Sequence, residues 1–127
     1  MNLIRTCFAI FLLPAALVGA AACSGGETLG DGINTDAREV SIQAAITDPE
    51  LRRGQVTLEG TIVSTCPSRG CWFYMRDDTG QIVVDLAPSD MAIPRDKRSP
   101  GAKTRVSGIL QEKNGQVILE ATGVEVY

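Results

Sequence analysis

From Glu39 onward, apolar and polar residues alternate in short runs broken by turn-forming residues, the pattern of half-buried strands. Val56, Leu58, Gly60 and Ile62 share one face of the first run, and Thr57, Glu59 and Thr61 the other. A second run, Cys71 to Arg76, is dense in aromatic residues, and Asp77-Asp78-Thr79-Gly80 after it reads as a turn. A third strand is expected over Gln81 to Leu86, with Ile82, Val84 and Leu86 on one side. Residues 87–102 break the alternation with Pro88, Pro94, Pro100 and Gly101, and a short helical turn is expected near Ser89–Ala92. A fourth strand is expected over Thr104 to Gln111 and a fifth over Gln116 to Ala121, with Val124 and Val126 as its extension. Asn114-Gly115 between them is the signal of a tight hairpin. Upstream, Val40-Ser41-Ile42 reads as extended. Ala44 to Leu51 is ambiguous, with Asp48 and Pro49 suited to cap and open a helical turn.

Five strands, with the long irregular link between the third and fourth, predict an all-β domain: a small five-stranded OB-like barrel, in which a three-stranded meander is followed by a connection and a final hairpin. Another small barrel or an antiparallel sandwich has the same strand count.

The first residues follow a different pattern. Met1 to Arg5 is a positive start, Cys7 to Val18 an apolar run, and Gly19-Ala20-Ala21-Ala22 a cut site of small residues followed by Cys23. This is the layout of a secretory signal, and the apolar run is too short to span a bilayer. The cysteine after the small residues marks a bacterial lipoprotein signal, although Ala20 stands where Leu is usual. Ordinary cleavage after Ala22, giving a secreted chain that begins with Cys23, is the alternative. Lipid on Cys23 leaves Cys66 and Cys71 as an even pair, since Cys7 departs with the signal. Ser24 after the cysteine leans toward an outer-membrane address.

The expected organisation is a signal peptide over 1–22, a lipid-anchored flexible tether over 23–38 and the OB-like domain over 39–127. Gly25, Gly26, Gly30 and Gly32 are costly to order, and a Gly-rich tether of this length spans roughly 20 Å. The expected location is the bacterial cell envelope, facing the periplasm, with the membrane as a partner through Cys23.

Charge and composition narrow the function. A net charge of −3 is poorly suited to holding a long nucleic acid by bulk charge. The chain has no histidine. That excludes a Ser-His-Asp triad, a Cys-His dyad, His-bound haem and nearly every catalytic zinc site. Asp78-Thr79-Gly80 matches the aspartic-protease tripeptide, but two such aspartates must meet and the residues before it are not apolar, so it reads as a turn.

Cys66 and Cys71 flank the turn joining the first two strands. A disulfide stapling that loop is the expected state, and so small a ring contributes roughly 2 kcal/mol. A redox-active pair, or a Cu(I) site with Met75 or Met91 as thioether donors, is the alternative. On the aromatic run, alternation puts Trp72, Tyr74 and Arg76 on one face and Phe73 and Met75 on the other. If Phe73 and Met75 point inward, the first three form an exposed stacking and charge platform, as on the binding face of OB domains. A lone tryptophan belongs more often to the core, and that is the expectation here. Arg95, Lys97, Arg98, Lys103 and Arg105 gather around the link to the fourth strand. They read as a solvated loop, with an anion patch as the alternative.

Val56-Thr57-Leu58-Glu59-Gly60-Thr61-Ile62-Val63 resembles the opening strand of the tRNA-anticodon-type OB-fold, and Lys103-Thr104-Arg105-Val106-Ser107-Gly108 its fourth strand. Cys66-Pro67-Ser68-Arg69-Gly70-Cys71-Trp72 is similar to a signature of small uncharacterised exported OB-fold proteins of bacteria. The resemblance covers roughly residues 39–126. It implies the fold and export, and no reaction.

These readings describe a non-enzymatic envelope lipoprotein with one OB-like binding or structural module, whose partner is an unidentified protein or small ligand. No cofactor and no metal are expected. Two alternatives stand beside it. One is a thiol redox or soft-metal protein using Cys66 and Cys71. The other is an oligonucleotide- or oligosaccharide-binding domain using Trp72, Tyr74 and Arg76, with Arg95, Lys97 and Arg98 nearby.

Overall fold

A computed structural model describes residues 26–127. The expected signal peptide and Cys23 lie outside the described residues. The elements are β1 (Glu27–Gly30), β2 (Arg38–Glu39), α1 (Ile42–Thr47), β3 (Gln55–Thr65), β4 (Trp72–Arg76), β5 (Gln81–Asp85), β6 (Lys103–Lys113) and β7 (Gln116–Val126). Short 3-10 turns lie at Pro49–Arg53, Ala87–Ser89 and Arg95–Lys97.

The five alternating runs close on themselves. β3 pairs with β4, β4 with β5, β5 with β7, β7 with β6, and β6 again with β3. Every pair is antiparallel except β5–β7, which is parallel. This is the OB-fold barrel. Closure requires β3 to serve two neighbours. It pairs with β6 from Gln55 to Thr61, then with β4 from Thr61 to Thr65, and the register shifts between Ile62 and Ser64. A second shift lies between Ser107 and Gly108 on β6. Such bulges bend strands enough to close a small barrel. At Gly108 the strands approach so closely that a Cβ would overlap the Glu120 carbonyl.

The hairpin signal is realised. Asn114 and Gly115 both have positive φ, 53° and 76°, as a two-residue turn between twisted strands requires. Asp48 caps the turn at Pro49, accepting from the Glu50 N–H at 3.0 Å. The turn expected near Ser89–Ala92 lies slightly earlier, at Ala87–Ser89, and Asp90 ends it in the left-handed region (φ 53°).

Two expectations are corrected. Val40-Ser41-Ile42 is not extended throughout, because α1 begins at Ile42 with Ser41 as its cap. Three N–H groups at its start find acceptors: Ile42 N donates to Asp77 Oδ2 (2.9 Å), Gln43 N to Thr79 Oγ1 (3.0 Å) and Ala44 N to Ser41 Oγ (3.1 Å). The β4–β5 turn therefore holds the helix end. Ile42 and Ala45 are buried, so α1 closes one end of the barrel.

The second correction concerns the tether. From Glu27 on, the expected flexible segment is docked. β1 pairs antiparallel with Gly123–Val126 of β7, and β2 runs parallel to the start of β3. Between them Asn34 donates its N–H to Ser107 Oγ (2.9 Å) and its amide nitrogen to Gln55 Oε1 (2.6 Å). Thr57 Oγ1 and Ser107 Oγ share a buried hydrogen bond of 2.8 Å. The arm covers polar side chains on the outside of β3, β6 and β7 and satisfies them, which repays the ordering of its glycines.

Asp77 gives this fold a pH dependence. Burial pushes its pKa up, but the Thr79 hydroxyl and the amides of Ile42, Thr79 and Gly80 outweigh burial and hold it below 3.8. A depressed carboxylate pKa adds stability that is present above the unfolded value and lost as pH falls through the folded one. Asp77→Ala should cost about 1–2 kcal/mol at pH 7, as a lost cap does. The difference from the parent in urea unfolding should shrink steadily below pH 4.

Candidate functional site

β4 decides what the barrel presents. Phe73 and Met75 are fully buried, at 0 % exposure. Trp72, Tyr74 and Arg76 therefore point outward. The expectation of a core tryptophan is corrected. The inward row across the meander is Phe73, Val84 and Leu119, in register and all at 0 % exposure. Met75 fills the next inward row with Ile62 and Ile82. These side chains fill the small interior, and the alternation that places them sends the indole to the outside.

The outer face of β4, β5 and β7 has two rows. One runs Trp72, Asp85, Glu120 and the next Tyr74, Val83, Ile118, with Ser64 of β3 beside Tyr74. The Trp72 and Tyr74 rings meet edge-to-face, 5.7 Å between centroids and 83° between planes. Such a pair holds both rings in fixed orientation. Lys113 Nζ lies 2.8 Å from Glu120 Oε1. Its pKa is raised by that hydrogen bond and charge and, further, by Asp85, which reports a negative field along this row. The face thus combines two aromatic rings, two aliphatic side chains and two carboxylates.

Arg76 ends the face and lines a cleft of about 450 Å³ with Glu59, Gly60, Thr61, Asp77, Asp78 and Lys103. The acidic residues there offset the two cations. Arg95 is exposed and Lys97 half-buried, both on the link between β5 and β6 and apart from the strands bearing the rings. Arg98 is committed elsewhere. Its guanidinium donates to the Ile93 carbonyl (2.8 Å) and the Pro67 carbonyl (3.3 Å), tying the link to the β3–β4 loop.

That loop carries the cysteines. Cys66 and Cys71 are both free thiols and half-buried, so the expected disulfide is not formed in this structure. Cys66 Sγ instead faces Ser68 Oγ at 3.6 Å. The Arg69 amide foremost, then the Ser68 hydroxyl and the amides of Ser68 and Gly70, stabilise its thiolate and lower its pKa from 9.0 to about 6. The thioethers proposed for a soft metal lie elsewhere: Met75 is in the core, and Met91 packs against Gly30.

Sequence reasoning passed over Asp85, Val83, Ile118 and Glu120. A signal existed for the first two, since an inward Ile82, Val84 and Leu86 implies an outward Val83 and Asp85. Ile118 and Glu120 join the face only through the parallel β5–β7 pairing, which no local pattern announces.

No family model matches the chain, and no curated protein is similar to it. Solved structures are. The hypothetical protein ygiW from E. coli superimposes with a TM-score of 0.50 at 18% identity, over 72% of this chain and 91% of that one. Asparaginyl-tRNA synthetase from Pyrococcus horikoshii gives 0.53 at 22% identity, and a putative aspartyl-tRNA synthetase from Leishmania major Friedlin 0.51 at 11%. These cover 68% and 77% of this chain but only 22% of either synthetase, so the chain spans about a fifth of their length. At such identities the likeness shows the fold. The protein is an OB-fold domain.

Proposed function

We propose that the protein is a non-enzymatic binding module of the bacterial envelope, seating its ligand on the Trp72–Tyr74 face. The observation that carries this reading is the outward placement of both rings beside Asp85 and Glu120. Half-buried rings facing outward from a rigid sheet favour a ligand with a flat or apolar face. With Glu120 paired to Lys113, Asp85 is the carboxylate beside the rings without an ion pair among the described residues, and it favours an uncharged or positively charged group there. The face therefore suits an oligosaccharide or amino sugar better than an oligonucleotide. Titration with an amino-sugar oligomer and with an oligothymidylate, read through Trp72 fluorescence, tests this directly.

The leader and Cys23 support export and lipid anchoring. With β1 starting at Glu27, only Ser24, Gly25 and Gly26 separate Cys23 from the barrel. Three extended residues reach about 10 Å, half the span expected of a free tether. An anchored domain would sit against the membrane surface, with the end bearing Gly26 and the neighbouring Tyr127 ring nearest to it.

A further inference from the structure

The β3–β4 loop has features that the binding reading does not use. Cys66 N–H donates to the Trp72 carbonyl (3.0 Å), and the Gly70 N–H donates to the Cys66 carbonyl (3.0 Å). These two bonds hold the Cys66 backbone against the peptide units on either side of Cys71, so the two cysteines lie on neighbouring backbone across the neck of a short loop. Loop amides and the Ser68 hydroxyl converge on Cys66 Sγ, and the Arg98 guanidinium packs against Gly70. Amides and a hydroxyl around an accessible sulfur are the surroundings of a reactive thiolate.

We propose that this loop is a thiol–disulfide exchange site, with Cys66 as the attacking thiolate, Cys71 as the resolving thiol and a low-molecular-weight disulfide as the substrate. The Cys66 thiolate attacks one sulfur of the substrate. A mixed disulfide forms and the first thiolate leaves, taking a proton from solvent. Cys71 then gives its proton to solvent and attacks Cys66 Sγ. The Cys66–Cys71 bond forms and the second thiolate leaves. The protein loses two electrons, and one disulfide is reduced to two thiols. This inference does not depend on the Trp72–Tyr74 ligand.

Oxidised glutathione and the full chain provide the test, with peptide mass spectrometry separating the four cysteines. A thiol pKa lowered from 9.0 to about 6 raises the thiolate fraction at pH 6 several hundred-fold, and the lower basicity removes about twenty-fold of that in nucleophilicity. Cys66 should therefore react about 20-fold faster at pH 6 in the folded chain than in the same chain in urea. The parent should end as a Cys66–Cys71 disulfide with both glutathione thiols released. Cys71→Ser should stop at glutathione bound to Cys66. Equal rates in the folded and unfolded chains, or a parent that stops at the mixed disulfide, would overturn the proposal.

Discussion

Phe73→Ala will lower stability by about 3–5 kcal/mol, the cost of removing a large side chain from a filled interior. Phe73 is fully buried in the row with Val84 and Leu119, and a barrel this small cannot collapse around the void without shifting strands on both sides. Trp72→Ala, one residue away, will cost about 1 kcal/mol or less, chiefly its edge contact with Tyr74. Urea unfolding of the two variants measures the difference. The single tryptophan adds a second readout. Its fluorescence in the parent should be quenched readily by acrylamide, as an outward, half-buried ring is and a core ring is not. If Trp72→Ala proves the more damaging variant, the face assignment of β4 is wrong.

Gly123→Val will cost about 3 kcal/mol by two routes. A Cβ at Gly123 would overlap the main chain of Gly32, so the arm must lift from the barrel. Lifting it breaks the β1–β7 pairing and strips Thr57 and Ser107 of their cover. Hydrogen exchange resolves the two routes. The amides of Glu27–Gly30 should lose protection in the variant while those of β4 and β5 keep theirs. Unchanged protection at Glu27–Gly30 would mean that the arm contributes little to the fold.

The barrel was legible because its strands obey a local rule. Alternation marked β3 to β7, Asn114-Gly115 marked the last hairpin, and the proline-rich link fell where an OB-fold places its connection. What escaped was what depends on distant partners. α1 is a single short turn-and-a-half of helix whose N–H groups are satisfied by Asp77 and Thr79, more than thirty residues away. β1 has almost no apolar pattern of its own, with Leu29 as its one large apolar side chain, and it exists because β7 offers an open edge. The Gly-rich composition that suggested a tether reflects close packing at Gly30 and Gly32.

The face was half legible for the same reason. Alternation put Trp72, Tyr74 and Arg76 together, yet period alone does not say which side is inside. That is settled by the volume of the interior, a property of all five strands at once. Asp85 and the Glu120–Lys113 pair are aligned with Trp72 only by strand pairing. The Cys66 thiolate is likewise invisible in sequence, since a cysteine spacing carries no sign of where loop amides will point.

If the Trp72–Tyr74 face is the binding surface, its rings hold the ligand and Asp85 selects for an uncharged or cationic one. The most direct measurement is the equilibrium titration of the protein, at physiological salt, with a glucosamine oligomer and with an oligothymidylate of equal length. The glucosamine oligomer should bind saturably, reported by Trp72 fluorescence in the parent and by calorimetry in every variant. Trp72→Ala should weaken it roughly ten-fold or more, as loss of one stacking contact of about 1–3 kcal/mol implies, while the variant stays folded. Asp85→Asn should weaken it as well, and the oligothymidylate should not bind. Salt-sensitive binding of the oligothymidylate, or glucosamine binding that Trp72→Ala leaves intact, would rule out the Trp72–Tyr74 face as this binding surface.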